Sequence, residues 1–311
     1  MAIDSERLDQ ILPKLACPRC LGSLGRSEGG LTCKACAARY PIHQDRPVLI
    51  EDPAGPPRVM SEAHLSNQPP FEFVDWVSKL DGWALNVGAG GTARKLPNCI
   101  EMEYSIFRHT DVVGDAHKLP FASESFDAVV TFNTFEHLIN PNVAANEIHR
   151  VLKPGGRLIL HTAFLQPVHE PPYHFYNTTE YGLRNWFRNF HVEDVTVSAN
   201  FQPGYVLAWL ACEIRNAVAT NQGEDAGKRF GATTLDEWAA AWSDPARQSG
   251  PAWETLRTLP QDTQKRFAAG FQLVATRPKE GAWAEIHHAA RSQGHHLRSL
   301  ASRLKKKTGW F

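Results

Sequence analysis

The chain has 311 residues, with 33 basic and 33 acidic side chains, 42% hydrophobic and 21% charged residues. This is the balance of a soluble globular protein of one large or two ordinary domains, and it creates no net field for nucleic acid or an anionic surface. No apolar run reaches the roughly eighteen residues of a membrane span, and the N-terminal MAIDSERLDQILPKL is charged throughout, so no export is expected and the cytoplasm is the expected compartment.

The first element in the chain is a cysteine cluster. Cys17-Pro-Arg-Cys20 and Cys33-Lys-Ala-Cys36 are two CxxC pairs with twelve residues between them. Each pair forms a knuckle that offers two thiolates on one side, and two knuckles complete a tetrahedral four-sulfur zinc site. Such a site has no open position, so the expected zinc is structural. A unit spanning 8–51 buries too little apolar surface to fold alone, and metal binding makes up the difference. The proline-rich stretch 52–70 reads as a linker.

From 83 onwards short apolar runs alternate with helical stretches, the pattern of a parallel α/β sheet. Strands are expected at 83–87, 99–104, 110–113, 126–132, 156–162, 192–198 and 270–276, and the clearest helices at 143–152 and 179–190. Thr178 or Thr179 is positioned to cap the second helix. About seventy residues separate the last two strands, far more than a simple connection needs. They carry Trp209, Trp238, Trp242 and Trp253 and read as a helical insertion over about 200–268. The tail 279–311 is a basic helical pattern ending in Trp310-Phe311. It suits a solvated or packed helix first, and otherwise contact with an anionic membrane surface or with nucleic acid.

The decisive stretch is Asn86-Val-Gly88-Ala89-Gly90-Gly91-Thr92, which follows the first strand of the sheet. Glycines in such a loop imply that something approaches the backbone where a Cβ would collide. A dinucleotide site needs a long helix behind the loop to hold pyrophosphate on its N-terminus. Pro97 and the next strand leave space for one or two turns at most. A nucleoside cofactor without phosphate, S-adenosylmethionine, fits better. Glu103, at the end of the second strand and preferred to Glu101, suits the ribose hydroxyls. Asp115, after the third strand and followed by Ala116, suits the adenine amino group. Asn133 to His137, after the fourth strand, face the cofactor, with Glu136 among them.

These segments in this order, with DAHKLPF, FDAVV…EHL and VLKPGGRLIL among them, resemble the class I S-adenosylmethionine-dependent methyltransferases of the type 11 kind over about 80–200. The resemblance implies a Rossmann-like seven-stranded sheet with an antiparallel last strand, within a domain over 71–278. LACPRCLGSL…LTCKACAARYPIHQDRPVLI in turn resembles a zinc ribbon that serves as activator subunit of several tRNA and protein methyltransferases and is also found fused to bacterial ones. One departure is Asn86, where the family usually carries an acid near the methionine ammonium. Glu136 or a backbone carbonyl is a candidate to compensate.

Methyl transfer needs an aligned nucleophile, exclusion of water and removal of a proton from a hydroxyl or amine acceptor. His137 is the first candidate base, as a histidine of this region is in some sugar O-methyltransferases of the fold. The loop from His161 to Tyr176 is rich in His and Tyr and reads as the acceptor wall, with His169, Tyr173 and His174 as polar contacts. The expected activity is methylation of a small-molecule or glycan hydroxyl. The alternatives are an RNA or protein methyltransferase that recruits substrate through its ribbon, and a cofactor-binding regulatory protein. The missing Asn/Asp-Pro-Pro-Tyr/Phe signature argues against a planar nitrogen acceptor.

Overall fold

The computed structural model describes residues 5–53 and 55–273, and these divide into two compact units: the described residues up to 164 together with 175–195, and residues 165–174 together with 196–273. The expected tail 279–311 lies outside the described residues. Among the described residues no helix is long and apolar enough to cross a membrane.

The first unit is built on one nine-stranded sheet in the order β1-β2-β3-β4-β7-β6-β5-β8-β9. Its strands are β1 Leu24–Ser27, β2 Gly30–Cys33, β3 Arg39–His43, β4 Arg46–Leu49, β5 Ala84–Val87, β6 Cys99–Glu103, β7 Val112–Gly114, β8 Phe126–Phe132 and β9 Leu152–His161. The five strands β5 to β9 are parallel, as the alternating apolar runs imply, and β5 lies at the centre between β6 and β8. The count is nine rather than seven because the four ribbon strands, an antiparallel meander, join the same sheet. The junction is β4, which runs parallel to β7 with Val48 opposite Val113 and Leu49 opposite Gly114. Arg46 is almost fully buried there, its guanidinium donating to the carbonyls of Thr110, Arg108 and Gln44.

Two expected strands differ. Residues 192–198 form no regular structure: alternation favours a strand only where a partner supplies the ladder, and among the described residues none pairs with them. Of 270–276, the part up to Leu273 is irregular and the remainder lies outside the described residues, so the antiparallel last strand is not seen among the described residues. The Pro-Gly-Gly turn expected before β9 continues as strand, with a register shift opposite Phe126 and Ala128.

Ribbon and sheet share one core. Leu8 and Ile11 of α1 (Ser5–Ile11), Leu24, Leu31 and Tyr40 of the ribbon, and Leu119, Phe121 and Phe126 of the sheet domain belong to the same buried cluster. Phe121 and Phe126 meet edge to face at 5.1 Å. Each large side chain buried in this way contributes about 2–3 kcal/mol. The backbone closes the joint: Ala16 donates to Pro120 O at 2.9 Å and Ala122 to Lys14 O at 2.9 Å. On the opposite face, α2 (Phe71–Ser78) buries Phe73 and Val77 against Ala84, Ala128 and Phe132.

α3 (Pro141–Val151) starts with the Asn140 side chain accepting from Val143 N, and buries Ala144, Ala145, Ile148 and Val151 at helical spacing. α4 (Glu180–Trp186) is capped by Thr179, whose hydroxyl accepts from Gly182 N. The second unit is helical, as expected for the insertion: α5 (Pro203–Gln222), α6 (Glu224–Gly231), α7 (Leu235–Ser243), α8 (Pro251–Arg257) and α9 (Gln261–Lys265). Trp238 stacks between Phe230 and Trp253 at 5.7 and 6.0 Å.

The four cysteine sulfurs lie within 4.8 Å of one another. Cys17 to Cys36 is 3.7 Å and Cys20 to Cys33 is 3.5 Å. A tetrahedron with zinc–sulfur bonds of about 2.3 Å has edges of about 3.8 Å, so the set fits a structural zinc ion. The buried Tyr40 hydroxyl sits 3.0 Å from Cys17 Sγ and can donate to the thiolate.

Because the ribbon and the sheet are one hydrogen-bonded body, zinc removal by a strong chelator should lower the melting temperature of the whole first unit, read by circular dichroism. A sheet transition unchanged after chelation would show that the two fold separately.

Candidate functional site

The site is built where β5 ends. Asn86 and Val87 lead into the glycine loop, and the amides of Gly88 and Ala89 donate to Met102 O of β6 at 3.0 and 3.2 Å. No helix forms between the loop and β6, a shorter connection even than the one or two turns expected. A free helix N-terminus to hold pyrophosphate is therefore absent at this position.

The glycines are required, but not by a ligand alone. Gly88 has φ +68°, and a Cβ there would lie 2.2 Å from Thr134 Oγ1. At Gly90, with φ +60°, it would meet Ser66 Oγ at 2.7 Å, and at Gly91 the His64 carbonyl oxygen at 2.2 Å. The expectation that close ligand approach alone explains these glycines is corrected: the chain's own segments fill the space. Residues 64–68, expected as plain linker, form a strap over the loop. Ser66 N donates to Gly91 O and Gly91 N to Ser66 Oγ, each at 3.0 Å. Gln68 donates to Gly91 O at 2.7 Å and accepts from Ala93 N at 2.9 Å. Asn67, at φ +50°, donates to Gly88 O at 3.3 Å and accepts from Asn133 Nδ2 at 3.5 Å. A proline-rich composition gives no sign of these contacts, so the strap was missed.

The acidic candidates separate into different roles. Glu103, at the end of β6, accepts from Gly90 N at 3.0 Å and Tyr104 N at 2.7 Å, which aims its carboxylate at the loop. Glu101, two residues earlier, is 3% exposed and accepts from Thr92 Oγ1 at 2.9–3.0 Å, while Thr92 also meets His109 Nδ1 at 3.1 Å. Burial pushes the Glu101 carboxyl up to about 7, against the pull of Lys95 and the Thr92 bond. Its neighbour across the β5–β6 ladder is Asn86, itself 2% exposed. Both line a cavity of about 150 Å³ together with Gln68, Phe73 and Arg94. Asn86 Oδ1 is buried without a hydrogen-bond partner, an orphaned acceptor suited to an N–H donor.

Asp115 stands beyond β7, its Oδ1 accepting from the backbone N and ring Nδ1 of His117 at 2.8 and 2.7 Å; Ala116 beside it is buried. Asn133 ends β8 at φ +51° and donates its amide to His161 O at 3.0 Å. Thus the loop, Glu103, Asp115 and Asn133 all gather at the carboxyl ends of β5 to β8, where open α/β sheets bind ligands.

Glu136 does not face a cleft in the way expected. It is fully buried, its Oε2 accepts from Thr162 Oγ1 at 3.0 Å, and its backbone carbonyl accepts from Phe175 and Tyr176. It serves the turn 135–137, which packs Phe135 against Trp186 and Phe187. His137, half-buried, closes that turn by donating its amide to Thr134 O at 2.9 Å. In the second unit, His169 and His174 are brought together, rings 4.2 Å apart, with His169 N donating to His174 Nδ1 at 3.2 Å. His169 Nδ1 donates to Pro167 O at 3.0 Å, and Tyr173 N to Glu170 O. Tyr176, in the first unit, bonds Ile139 O through its hydroxyl.

A mostly parallel α/β sheet, with a glycine loop at its central strand β5 and carboxylates at the ends of β6 and β7, is a Rossmann-like arrangement. The comparisons agree. Residues 92–160 match the family model described as a methyltransferase domain, and residues 11–45 match that of Trm112p-like proteins. The chain therefore carries a methyltransferase domain behind a Trm112-like zinc ribbon. Among curated proteins it is similar to a demethylmenaquinone methyltransferase of Mycolicibacterium paratuberculosis, 36% identical over 72 residues, covering 23% of this chain and 26% of the relative. It is also similar to the ubiquinone/menaquinone biosynthesis C-methyltransferase UbiE of Cereibacter sphaeroides, 49% identical over 49 residues, 16% of this chain and 20% of the relative. The chain thus spans about a quarter of the length of the relatives it matches. Among solved structures it is similar to the [4+2]-cyclase SpnF, at 21% identity, TM-score 0.33, covering 55% of this chain and 76% of that one. A complex of the Haloferax volcanii Trm112 activator with a methyltransferase matches at 17% identity, TM-score 0.27, covering 41% and 74%.

The buried Glu101 gives a stability test. Its carboxyl holds a proton more tightly in the folded chain, at about 7 against an ordinary 4.5, so folded stability falls as pH rises through that window and stays lower above it. At about 1.4 kcal/mol per unit the loss reaches up to about 3 kcal/mol. Glu101→Gln should therefore stabilise the chain at pH 8 relative to pH 5, read from urea denaturation at both values. A pH-independent difference between variant and parent would show that Glu101 ionises freely.

Proposed function

We propose that the chain is an S-adenosylmethionine-dependent methyltransferase acting on a small-molecule acceptor, most specifically a hydroxyl of a small molecule or glycan, in the cytoplasm. The observation that carries this reading is the pair of carboxylates, Glu103 and Asp115, flanking a glycine loop that no helix follows. The residues fit the cofactor: Glu103 accepts from the ribose hydroxyls, Asp115 from the adenine amino group, and the orphaned Asn86 Oδ1 from the methionine ammonium. Gly88, Ala89 and Gly90 line the loop side, with Ala116 and Asn133 beside the base and methionine ends. The similarity to quinone methyltransferases supports a small-molecule acceptor class.

When bound, the cofactor supplies an electrophilic methyl on a sulfonium, which leaves as a neutral thioether and needs no acid. The chain's own task is to align the acceptor, exclude water and take up a proton. His137, on the turn after β8, is the proposed base, and His169 and His174 are proposed acceptor contacts. The zinc ribbon plays a supporting part: β4 covers the sheet edge that would otherwise be open.

Titration calorimetry of the full chain with S-adenosylmethionine and S-adenosylhomocysteine tests the cofactor reading, and product release across a panel of phenolic, glycan and quinone acceptors tests the acceptor. Glu103→Ala should weaken cofactor affinity about tenfold or more, through loss of charge-assisted bonds of about 1.5–3 kcal/mol. His137→Ala should lower turnover more than affinity. Absence of binding, or unchanged affinity in Glu103→Ala, would refute the site. Equal losses of turnover and affinity in His137→Ala would make it a binding contact.

A further inference from the structure

The proposed chemistry leaves one well-ordered side chain of the site without a task, His117. Its two ring nitrogens have partners of opposite kind. The backbone N–H of Asn140 points at Nε2, 3.1 Å away. A backbone amide can only donate, so Nε2 carries the lone pair and the proton sits on Nδ1. Nδ1 in turn lies 2.7 Å from Asp115 Oδ1, which also accepts the His117 backbone N–H at 2.8 Å. The ring is thus held as one neutral tautomer whose single donor is aimed at one carboxylate oxygen.

Both ends of this relay are anchored. Asn140 opens α3 and caps it through its own side chain. The loop is closed by Lys118 N donating to Asp115 O at 3.0 Å, and the Lys118 ammonium pairs with Glu51 at the end of the ribbon. Burial pushes the Asp115 carboxyl up, but the two hydrogen bonds from His117 outweigh it and hold the group below the ordinary range. Asp115 therefore stays an anion and a pure acceptor at neutral pH. Its side chain keeps 39% exposure, and among the described residues no donor reaches Oδ2.

We propose that His117 is a positioning residue for base recognition: it occupies Oδ1 and turns Oδ2 towards the ligand, so that the site selects a purine bearing an exocyclic amino donor. The proposal rests on the cofactor reading above and deepens it. An anionic acceptor rewards a donor and leaves a desolvated, unpaired charge against a ligand that lacks one.

The test is calorimetry of the full chain with two ligands, S-adenosylhomocysteine and its analogue in which hydrogen replaces the 6-amino group. The parent chain should prefer the amino ligand by about tenfold. His117→Leu should lose about five- to tenfold for the amino ligand and under about twofold for the analogue. His117→Asn, whose amide nitrogen reaches the place of Nδ1, should recover most of the loss. Where the Leu variant does not fold, His117→Gln, which keeps an acceptor for Asn140 but loses the donor to Asp115, carries the same comparison. Equal losses for both ligands, no loss for either, or no preference in the parent chain would overturn the role of His117. A parent chain that binds neither ligand would overturn the cofactor reading, and this proposal with it.

Discussion

Everything in the first unit depends on β4 lying parallel to β7. A sheet edge exposes unpaired amides and carbonyls, which in water invite aggregation and in a core carry a desolvation cost. Here the ribbon supplies the missing partner strand. Val48 and Leu49 are fully buried on one side of the joint and Val113 on the other, while the Arg46 guanidinium satisfies three carbonyls that the short ladder leaves over. The four cysteines that would hold a structural zinc ion lie in the two knuckles of the ribbon that supplies that strand. Metal site and candidate active site are therefore linked through a continuous sheet rather than through a flexible tether.

A second constraint ties the N-terminal helix to the same sheet. Asp111, 1% exposed, accepts from Arg7 through two nitrogens at 3.1 Å each, from Lys95, and from the Glu101 amide at 2.8 Å. Arg7 continues to the carbonyls of Pro97 and Cys99. The attraction of two cations outweighs burial and keeps the Asp111 carboxyl below its usual range. Nearby Glu101 lacks a cation in direct contact, and burial wins there instead. Two carboxylates ten residues apart in sequence are thus shifted in opposite directions, because one is paired directly with cations and the other is not.

The strap over the glycine loop carries this order to the site. Loop and strap satisfy each other's amides and carbonyls, so a loop that in sequence looks open is already half of a clasp. Two asparagines in left-handed conformation, Asn67 and Asn133, meet there, and such backbone choices gather where geometry is imposed from outside the residue.

Much of this was legible in the sequence because it obeys local rules. The CxxC spacing is a statement about thiolate geometry, and the sulfurs do come together. The alternation of apolar runs and helical stretches determined a parallel sheet with β5 carrying the loop. The short span from Gly91 to Cys99 determined that no long helix stands behind it. What tertiary structure alone decided are the long-range pairings. Only folding joined Val48 to Val113, laid Ser66 on Gly91, and set Glu101 rather than Glu103 beside Thr92, since strands two residues apart share a face and differ only in what packs above them. Likewise 192–198 alternates like a strand, yet among the described residues no neighbour completes its ladder and it stays irregular. Periodicity reports which faces of an element are apolar; it holds no information about which distant segment arrives to cover them.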